Sequence, residues 1–99
     1  MAAYIIAEIE VTDAAIYDRY RARTPGVIER YGGRFIVRGG KAEALEGDHE
    51  PDRLVVIEFS DMAAARRFYD SPEYQEIIGL RQEASKGRLI LVEGLPPPA

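Results

Sequence analysis

The fold is decided by the stretch RLVVIEF at Arg53–Phe59, in which five of the seven residues are apolar. A short run that is rich in β-branched and apolar residues is typical of a β-strand. Side chains alternate between the two faces of a sheet. One face would carry Val55, Ile57 and Phe59, and the other would carry Leu54, Val56 and Glu58. Because both faces are mainly apolar, we expect both to be covered.

Three other stretches have strand character: YIIAEIEV at residues 4–11, RFIVR at Arg34–Arg38 and RLILVE at residues 88–93. A glycine pair follows the second of these strands and is expected to turn or bulge it, with a continuation at residues 42–45. The polar stretch GDHEPD at residues 47–52 then predicts a loop. The chain is therefore expected to contain four strands.

The interval between the first two strands has helical spacing. Ile16, Tyr17 and Tyr20 predict a helix that follows a cap at residue 12 or 13. Pro25 lacks an N–H group, so we expect it to end this helix and to begin a short second one at residues 25–31. The next glycine pair would end that second helix.

The interval between the last two strands is expected to be broken in the same way. A cap at residue 60 or 61 predicts a helix to about residue 70. Ser71 and Pro72 have the pattern of a new helix start, and Gly87 would close that helix. The order β-α-β-β-α-β predicts a ferredoxin-like α+β domain with a four-stranded antiparallel sheet and helices on one face. We expect a single domain over residues 1–95 and a flexible proline-rich tail at 96–99.

The face of this sheet that lies away from the helices has too few polar residues to face water. It is predicted to carry Tyr4, Ile6, Leu54, Val56, Leu89 and Leu91. A solvated antiparallel face is normally polar, and a large apolar patch on a small domain usually marks an interface. We therefore expect a homodimer formed through the sheet face.

Composition excludes several classes of function. The formal net charge is −4 and no basic patch is evident, so nucleic acid is not an expected partner. The absence of cysteine excludes disulfides and cysteine-based zinc sites. No metal or cofactor is predicted. The N-terminal residues resemble neither a signal peptide nor a membrane span, which predicts a cytoplasmic protein without a membrane partner. His49, the only histidine, could be a general base, a metal ligand or simply a solvated loop residue.

Charged residues on the apolar sheet face form the first candidate site. Arg38 and Glu58 are expected to lie on the same side of the sheet. They could form a structural ion pair, or they could line a pocket between sheet, helices and partner chain. If the protein is an enzyme, a question that the sequence leaves open, Glu58 is the expected catalytic acid/base, with a pKa raised by its apolar neighbours.

A second candidate cluster lies among the helices. Tyr74 and Arg81 share one helix face, and Tyr20 is expected to meet them across the helical layer. Phenol and guanidinium groups above an apolar cleft suit an organic anion or enolate, although tyrosines at this spacing also fit a plain core. Ser71 fits a helix cap, and the free N–H groups beside it could hold an anion.

The chain resembles the bacterial DUF1330 family, a domain of unknown function in the dimeric α+β barrel superfamily. The shared residues are Asp13, Tyr17, Tyr20, YGGR at 31–34, VRGG at 37–40, LEG at 45–47, Arg53–Phe59, SPEY at 71–74, Arg81, Glu93 and Gly94. The resemblance implies a ferredoxin-like protomer and a sheet-to-sheet dimer, and it supplies no activity. The superfamily includes cofactor-free monooxygenases, lactone isomerases and haem-binding enzymes. With a single loop histidine, haem ligation is not expected here.

Two hypotheses follow. The first is a homodimer that binds an unknown small organic molecule, with an organic anion as one option, in a cleft between sheet and helices, with or without cofactor-independent catalysis. The residues expected to bind the ligand are Tyr20, Arg38, Ser71, Tyr74 and Arg81. The second is a non-catalytic association module in which an arginine–glutamate pair is purely structural.

Overall fold

The computed structural model describes residues 1–96. Its elements are β1 (Ala3–Val11), α1 (Ala14–Arg30), β2 (Arg34–Arg38), β3 (Arg53–Phe59), α2 (Met62–Asp70), α3 (Pro72–Ala84) and β4 (Ser85–Glu93). The strands form one antiparallel sheet in the order β2-β3-β1-β4, so the predicted ferredoxin-like α+β class is confirmed. Except for Pro96, the predicted tail at 96–99 lies outside the described residues.

The core lies between one sheet face and the three helices. The sheet contributes buried side chains from β1 and β3, including Ile5, Ile57 and Phe59. Phe68 of α2 and Tyr74 of α3 pack on this layer, with their ring centroids 4.6 Å apart. No helix of residues 1–96 is both long enough and apolar enough to cross a membrane.

Short polar side chains begin all three helices. Asp13 accepts a hydrogen bond from the Ile16 N–H at 3.1 Å, and Asp61 caps α2 in the same way. Ser71 caps α3, and Pro72 is the first residue of that helix. A capping oxygen satisfies an N–H group that has no partner within the helix. These caps fix where each helix starts over the sheet.

The predicted break at Pro25 is wrong, because α1 continues through this residue. An internal proline removes one helical hydrogen bond, the one that its own N–H would give to the carbonyl four residues earlier. Here Tyr20, Thr24 and Ile28 are buried on one face of α1, so packing holds both halves of the helix in line. The second crossover does contain two helices, which meet at Ser71.

Strand bounds differ from expectation at two places. Residues 42–45 are not in a strand, and β4 begins at Ser85 and includes Gly87. A Cβ atom on Gly87 would collide with the Glu8 carbonyl oxygen. This glycine therefore permits the close approach of β4 to β1. It was predicted to end the preceding helix, and it lies within the strand instead.

The prediction that Leu89 and Leu91 of β4 lie on the sheet face away from the helices is also wrong. In the register of β1 with β4, Tyr4 lies opposite Val92 and Ile6 lies opposite Ile90. Directly opposed residues share a face, so Leu89 and Leu91 point toward the helices, where both pack against the core. The sheet surface away from the helices, the open face, carries Tyr4, Ile6, Leu54, Val56, Ile90 and Val92. The open face is still apolar, because Ile90 and Val92 lie where Leu89 and Leu91 were predicted.

Candidate functional site

A pocket lies between the sheet and the helices and contains four arginines. These are Arg21 of α1, Arg38 of β2, Arg53 of β3 and Arg81 of α3. Apart from Thr24, the remaining walls are apolar or phenolic, and they come from all four strands and all three helices. We call this site the arginine pocket. No carboxylate side chain of the described chain is among its lining residues.

The arginine pocket is narrow inside and open at its mouth. Its cavity volume is about 30 Å³, and the empty space that also includes the open mouth and solvent is about 480 Å³. Ligand pockets generally range from about 300 to 1,000 Å³. A ligand would therefore be small or flat, or would extend through the mouth.

Tyr20 and Tyr74 meet at the helical side of the pocket. Their hydroxyl oxygens are 2.8 Å apart, and either can be the donor. Tyr74 is 1% exposed and Tyr20 is 9% exposed. Burial raises the pKa of Tyr20 far above its usual value, an effect that the nearby Arg81 charge partly offsets. Tyr20 therefore remains a neutral phenol, and a hydrogen bond between two hydroxyl groups uses only one of their two protons.

Arg53 and Arg81 have donors without acceptors. The Nε atoms of both guanidinium groups are buried and find no hydrogen-bond partner within residues 1–96. The Arg53 guanidinium lies 5.6 Å from the centre of the Tyr17 ring. It also passes so close to Gly39 that a Cβ at that position would collide with it. Buried donors of this kind normally have a partner, so both atoms are candidates for ligand contacts.

Arg38 stands at the mouth of the pocket. Its guanidinium stacks on the Phe35 ring at 4.5 Å from the centroid and donates to the Arg21 carbonyl oxygen at 3.4 Å. That carbonyl is the one left free by Pro25, which has no N–H to give. The helix irregularity therefore provides an anchor for Arg38.

Glu58 lies on the opposite side of the sheet, so the expected cluster of Arg38 with Glu58 is wrong. The register between β2 and β3 shifts between Phe35 and Val37. This bulge turns Arg38 to the helix side, because one extra residue reverses the alternation of faces. Glu58 instead accepts a hydrogen bond from Arg34 Nε at 2.8 Å.

The electrostatics of Glu58 also differ from expectation. The Arg34 hydrogen bond lowers the pKa of the Glu58 carboxyl, and the Tyr4 hydroxyl adds a smaller effect in the same direction. The expected increase in pKa from apolar neighbours is therefore wrong. A carboxylate held in its charged form by an arginine is a poor general acid. The structural pair on this face is Arg34–Glu58.

Of the five predicted ligand-binding residues, four line one pocket: Tyr20, Arg38, Tyr74 and Arg81. Ser71 does not line it. Its buried hydroxyl donates to the Phe68 carbonyl oxygen at 2.7 Å and accepts from the Tyr74 N–H at 3.1 Å. Ser71 therefore positions Tyr74 at the start of α3 and has no evident hydrogen bond to offer a ligand.

Sequence reasoning missed Arg53, Arg21 and Tyr17. A signal for Arg53 was present, because it alternates with Val55 and therefore shares the helix-facing side of β3. No pattern identified Arg21, whose side chain lies 4.0 Å from Asp18 and is half exposed. Tyr17 served only to predict the helix; it is buried, and its ring also forms a pocket wall.

His49 lies beside the open face and contacts the Glu8 carboxylate. Arg88 approaches the other oxygen of the same carboxylate at 3.5 Å. The His49 contact lowers the pKa of Glu8. No group of three or more histidine, aspartate or glutamate side chains within residues 1–96 is placed to hold a metal ion.

The fold and pocket define a ferredoxin-like α+β protein with an arginine-lined cavity between its sheet and helices. The chain belongs to the DUF1330 family, described as a domain of unknown function, whose family model matches residues 2–95. The predicted membership is confirmed. No curated protein matches the chain.

Solved structures of the same fold include several proteins of unknown function. A protein from Rhodopseudomonas palustris has 24% identity and a TM-score of 0.76, with 97% of this chain and 84% of that chain covered. A dimeric ferredoxin-like protein from Jannaschia sp. CCS1 has 17% identity and a TM-score of 0.69, covering 95% of this chain and 100% of that one. The cofactor-independent oxygenase SnoaB from Streptomyces nogalater has 19% identity and a TM-score of 0.66, covering 97% and 95%. At these identities the likeness shows the fold alone.

Proposed function

We propose that this protein is a homodimer that binds a small organic anion in the arginine pocket of each protomer. The observation that carries the proposal is the unbalanced positive charge of the pocket. Within the described residues, Arg38, Arg53 and Arg81 have no carboxylate oxygen within 4.0 Å. Tyr20 and Tyr74 supply the neutral polar groups of the same site.

The charge matters because the pocket is otherwise apolar. Bringing cations together beside apolar side chains is unfavourable unless an anion or water compensates them. Most arginines elsewhere in the described chain lie near acids, as Arg23 does with Glu76 at 3.4 Å and Arg34 with Glu58 at 2.8 Å. Arg38, Arg53 and Arg81 differ from these, and a bound anion would supply the missing partner.

The homodimer part of the proposal is supported by the open face. Ile90 is 45% exposed and Val92 is 41% exposed in the isolated protomer. Two carboxylates of the same face are already paired, Glu58 with Arg34 and Glu8 with Arg88. Paired charges are less costly to enclose than single ones. A second copy, packed sheet against sheet about a two-fold axis, would cover this face.

Sedimentation equilibrium tests the dimer. The wild type should sediment at twice the monomer mass of 11.1 kDa, and Ile90→Glu should be monomeric because it places a charge on the apolar open face. Leu45→Glu is the matched control, since Leu45 is 93% exposed in a loop, and it should remain dimeric. A wild type that is monomeric at tens of micromolar concentration would contradict the dimer.

Melting experiments with a panel of organic anions test the pocket. A bound anion stabilises the folded state according to its concentration and affinity, so acetate, hexanoate, citrate and benzoate are each titrated against the wild type. Arg53→Gln should reduce the increase in melting temperature, whereas Arg67→Gln, which removes an exposed arginine of α2, should not. If no anion raises the melting temperature of the wild type, the association-module hypothesis is favoured.

A further inference from the structure

The polar groups of the arginine pocket favour a negatively charged ligand over a positively charged one. Its guanidinium groups can only donate hydrogen bonds, and the Tyr20–Tyr74 pair retains one hydroxyl proton that has no acceptor within residues 1–96. No carboxylate side chain of the described chain lines the site. A ligand group that must itself donate, above all an ammonium group, would therefore meet cations and find no counter-charge.

The side chains that form the walls of the pocket favour a ligand that contains a flat ring. Five aromatic side chains line it: Tyr17, Tyr20, Phe35, Phe68 and Tyr74. Below them, the sheet contributes a floor of aliphatic side chains that includes Ile5, Val55 and Ile57. Aromatic rings pack favourably on other rings in tilted or edge-to-face geometry. The cavity of about 30 Å³ holds only about two water molecules, so a ring would lie between these walls in the wider part of the pocket that opens at its mouth.

The arginines select among anions. A guanidinium group matches a planar carboxylate through two parallel hydrogen bonds, and Nε is one of the two donors when the carboxylate approaches the side of the group that carries Nε. The Nε atoms of Arg81 and Arg53 are buried and have no partner in the described chain. A phosphate would also accept these bonds, but it carries more charge and more bound water into a site whose floor cannot solvate it.

We propose that the arginine pocket binds a small aromatic carboxylate, with the carboxylate at the Arg81–Tyr20–Tyr74 end and the ring between the aromatic walls and the sheet. This inference rests on the proposed function, which assigns a small organic anion to the same pocket. It adds the class of ligand and its orientation. Arg81 would hold the carboxylate, and the free hydroxyl proton of the tyrosine pair would donate to one of its oxygens. Tyr20 stays protonated as a donor because burial raises its pKa.

Isothermal titration with matched probes tests the ligand class. Benzoate and 3-phenylpropanoate should bind at least about tenfold more tightly than acetate and hexanoate, since only they offer a ring to the aromatic walls. Benzylamine and phenylalanine should show no saturable binding, because each carries an ammonium group. Phenyl phosphate should bind more weakly than benzoate.

Two further measurements locate the carboxylate. Arg81→Gln should weaken benzoate binding by about tenfold or more, which is the scale expected for losing a charged hydrogen bond. Arg67→Gln makes the same charge change at an exposed position and should leave the affinity unchanged. Nuclear Overhauser effects between benzoate and wild-type protein need no variant, and they should connect the ligand ring to Phe68 and Tyr17.

The outcomes separate this inference from the proposed function. Hexanoate or citrate binding as tightly as benzoate, with the same loss in Arg81→Gln, would overturn the aromatic class and leave the anion site standing. Tighter binding of phenyl phosphate would overturn the carboxylate. Absence of binding by every anion would overturn both proposals. Benzoate that shows no contact with Phe68 or Tyr17 would overturn the assigned orientation, whatever its affinity.

Discussion

The buried contact between Tyr20 and Tyr74 allows a prediction whose magnitude follows from the burial of each residue. Removing one hydroxyl leaves the other without its 2.8 Å partner, and an unsatisfied buried polar group costs about 1–3 kcal/mol. Tyr74→Phe leaves the Tyr20 hydroxyl, which water in the pocket can partly reach, so we expect a loss of about 1–2 kcal/mol. Tyr20→Phe leaves the deeper Tyr74 hydroxyl, and we expect about 2–3 kcal/mol.

The double variant provides the decisive comparison. With both hydroxyls removed, no unsatisfied group remains, so the free energy of unfolding should be closer to that of the wild type than in Tyr20→Phe alone. Urea unfolding of all four proteins at one protein concentration measures this. A concentration held constant is necessary for a protein proposed to dimerise. Losses that simply add would refute the reasoning, as would a neutral Tyr20→Phe.

Two other predictions concern packing and pH. Gly33→Ala should lower the free energy of unfolding by about 1–3 kcal/mol through overpacking, because a Cβ there would lie 2.6 Å from the buried Phe59 ring. The control is Gly26→Ala, where a Cβ would have nothing within 4 Å. It should be neutral or slightly stabilising in urea unfolding. The Tyr31 hydroxyl lowers the pKa of Glu73 in the folded protein. The stabilisation of the folded state by this hydrogen bond is therefore complete above pH 4.5, the usual glutamate value. It is lost as the pH falls through the lowered pKa. Tyr31→Phe should therefore lose less stability between pH 7 and pH 3 than the wild type, and an equal loss in both proteins would contradict this assignment.

The architecture was predictable because its signals are local and repeated. Alternation identified β1 and β3 and their two faces, and the cap at Ser71 identified the start of α3. The relation between strands was not predictable in the same way. Alternation within β4 defines two sets of side chains, but which set meets the helices depends on its pairing with β1. A shift of one residue exchanges the sets, and both sets of β4 are apolar.

The candidate site was predictable only where its residues are related by local helical spacing. Tyr74 and Arg81 share a helix face, and this local spacing brought them correctly to one pocket. Arg38 reaches the same pocket for a reason that the sequence analysis did not contain. It was placed on the open face by simple alternation, and the bulge after Phe35 reversed that placement. The same bulge removed its expected partner, Glu58, which Arg34 holds instead.

The two irregular features of the backbone act on the same side chain. The β2 bulge turns Arg38 toward the helices, and Pro25 leaves the Arg21 carbonyl oxygen free to accept a hydrogen bond from it at 3.4 Å. A regular strand would place Arg38 on the open face, and a residue with an N–H at position 25 would occupy that carbonyl. Each irregularity weakens its own element, yet together they hold a cation at the mouth of an apolar pocket. The arrangement supports the proposed anion site, since it brings Arg38 to the arginine pocket rather than to the open face.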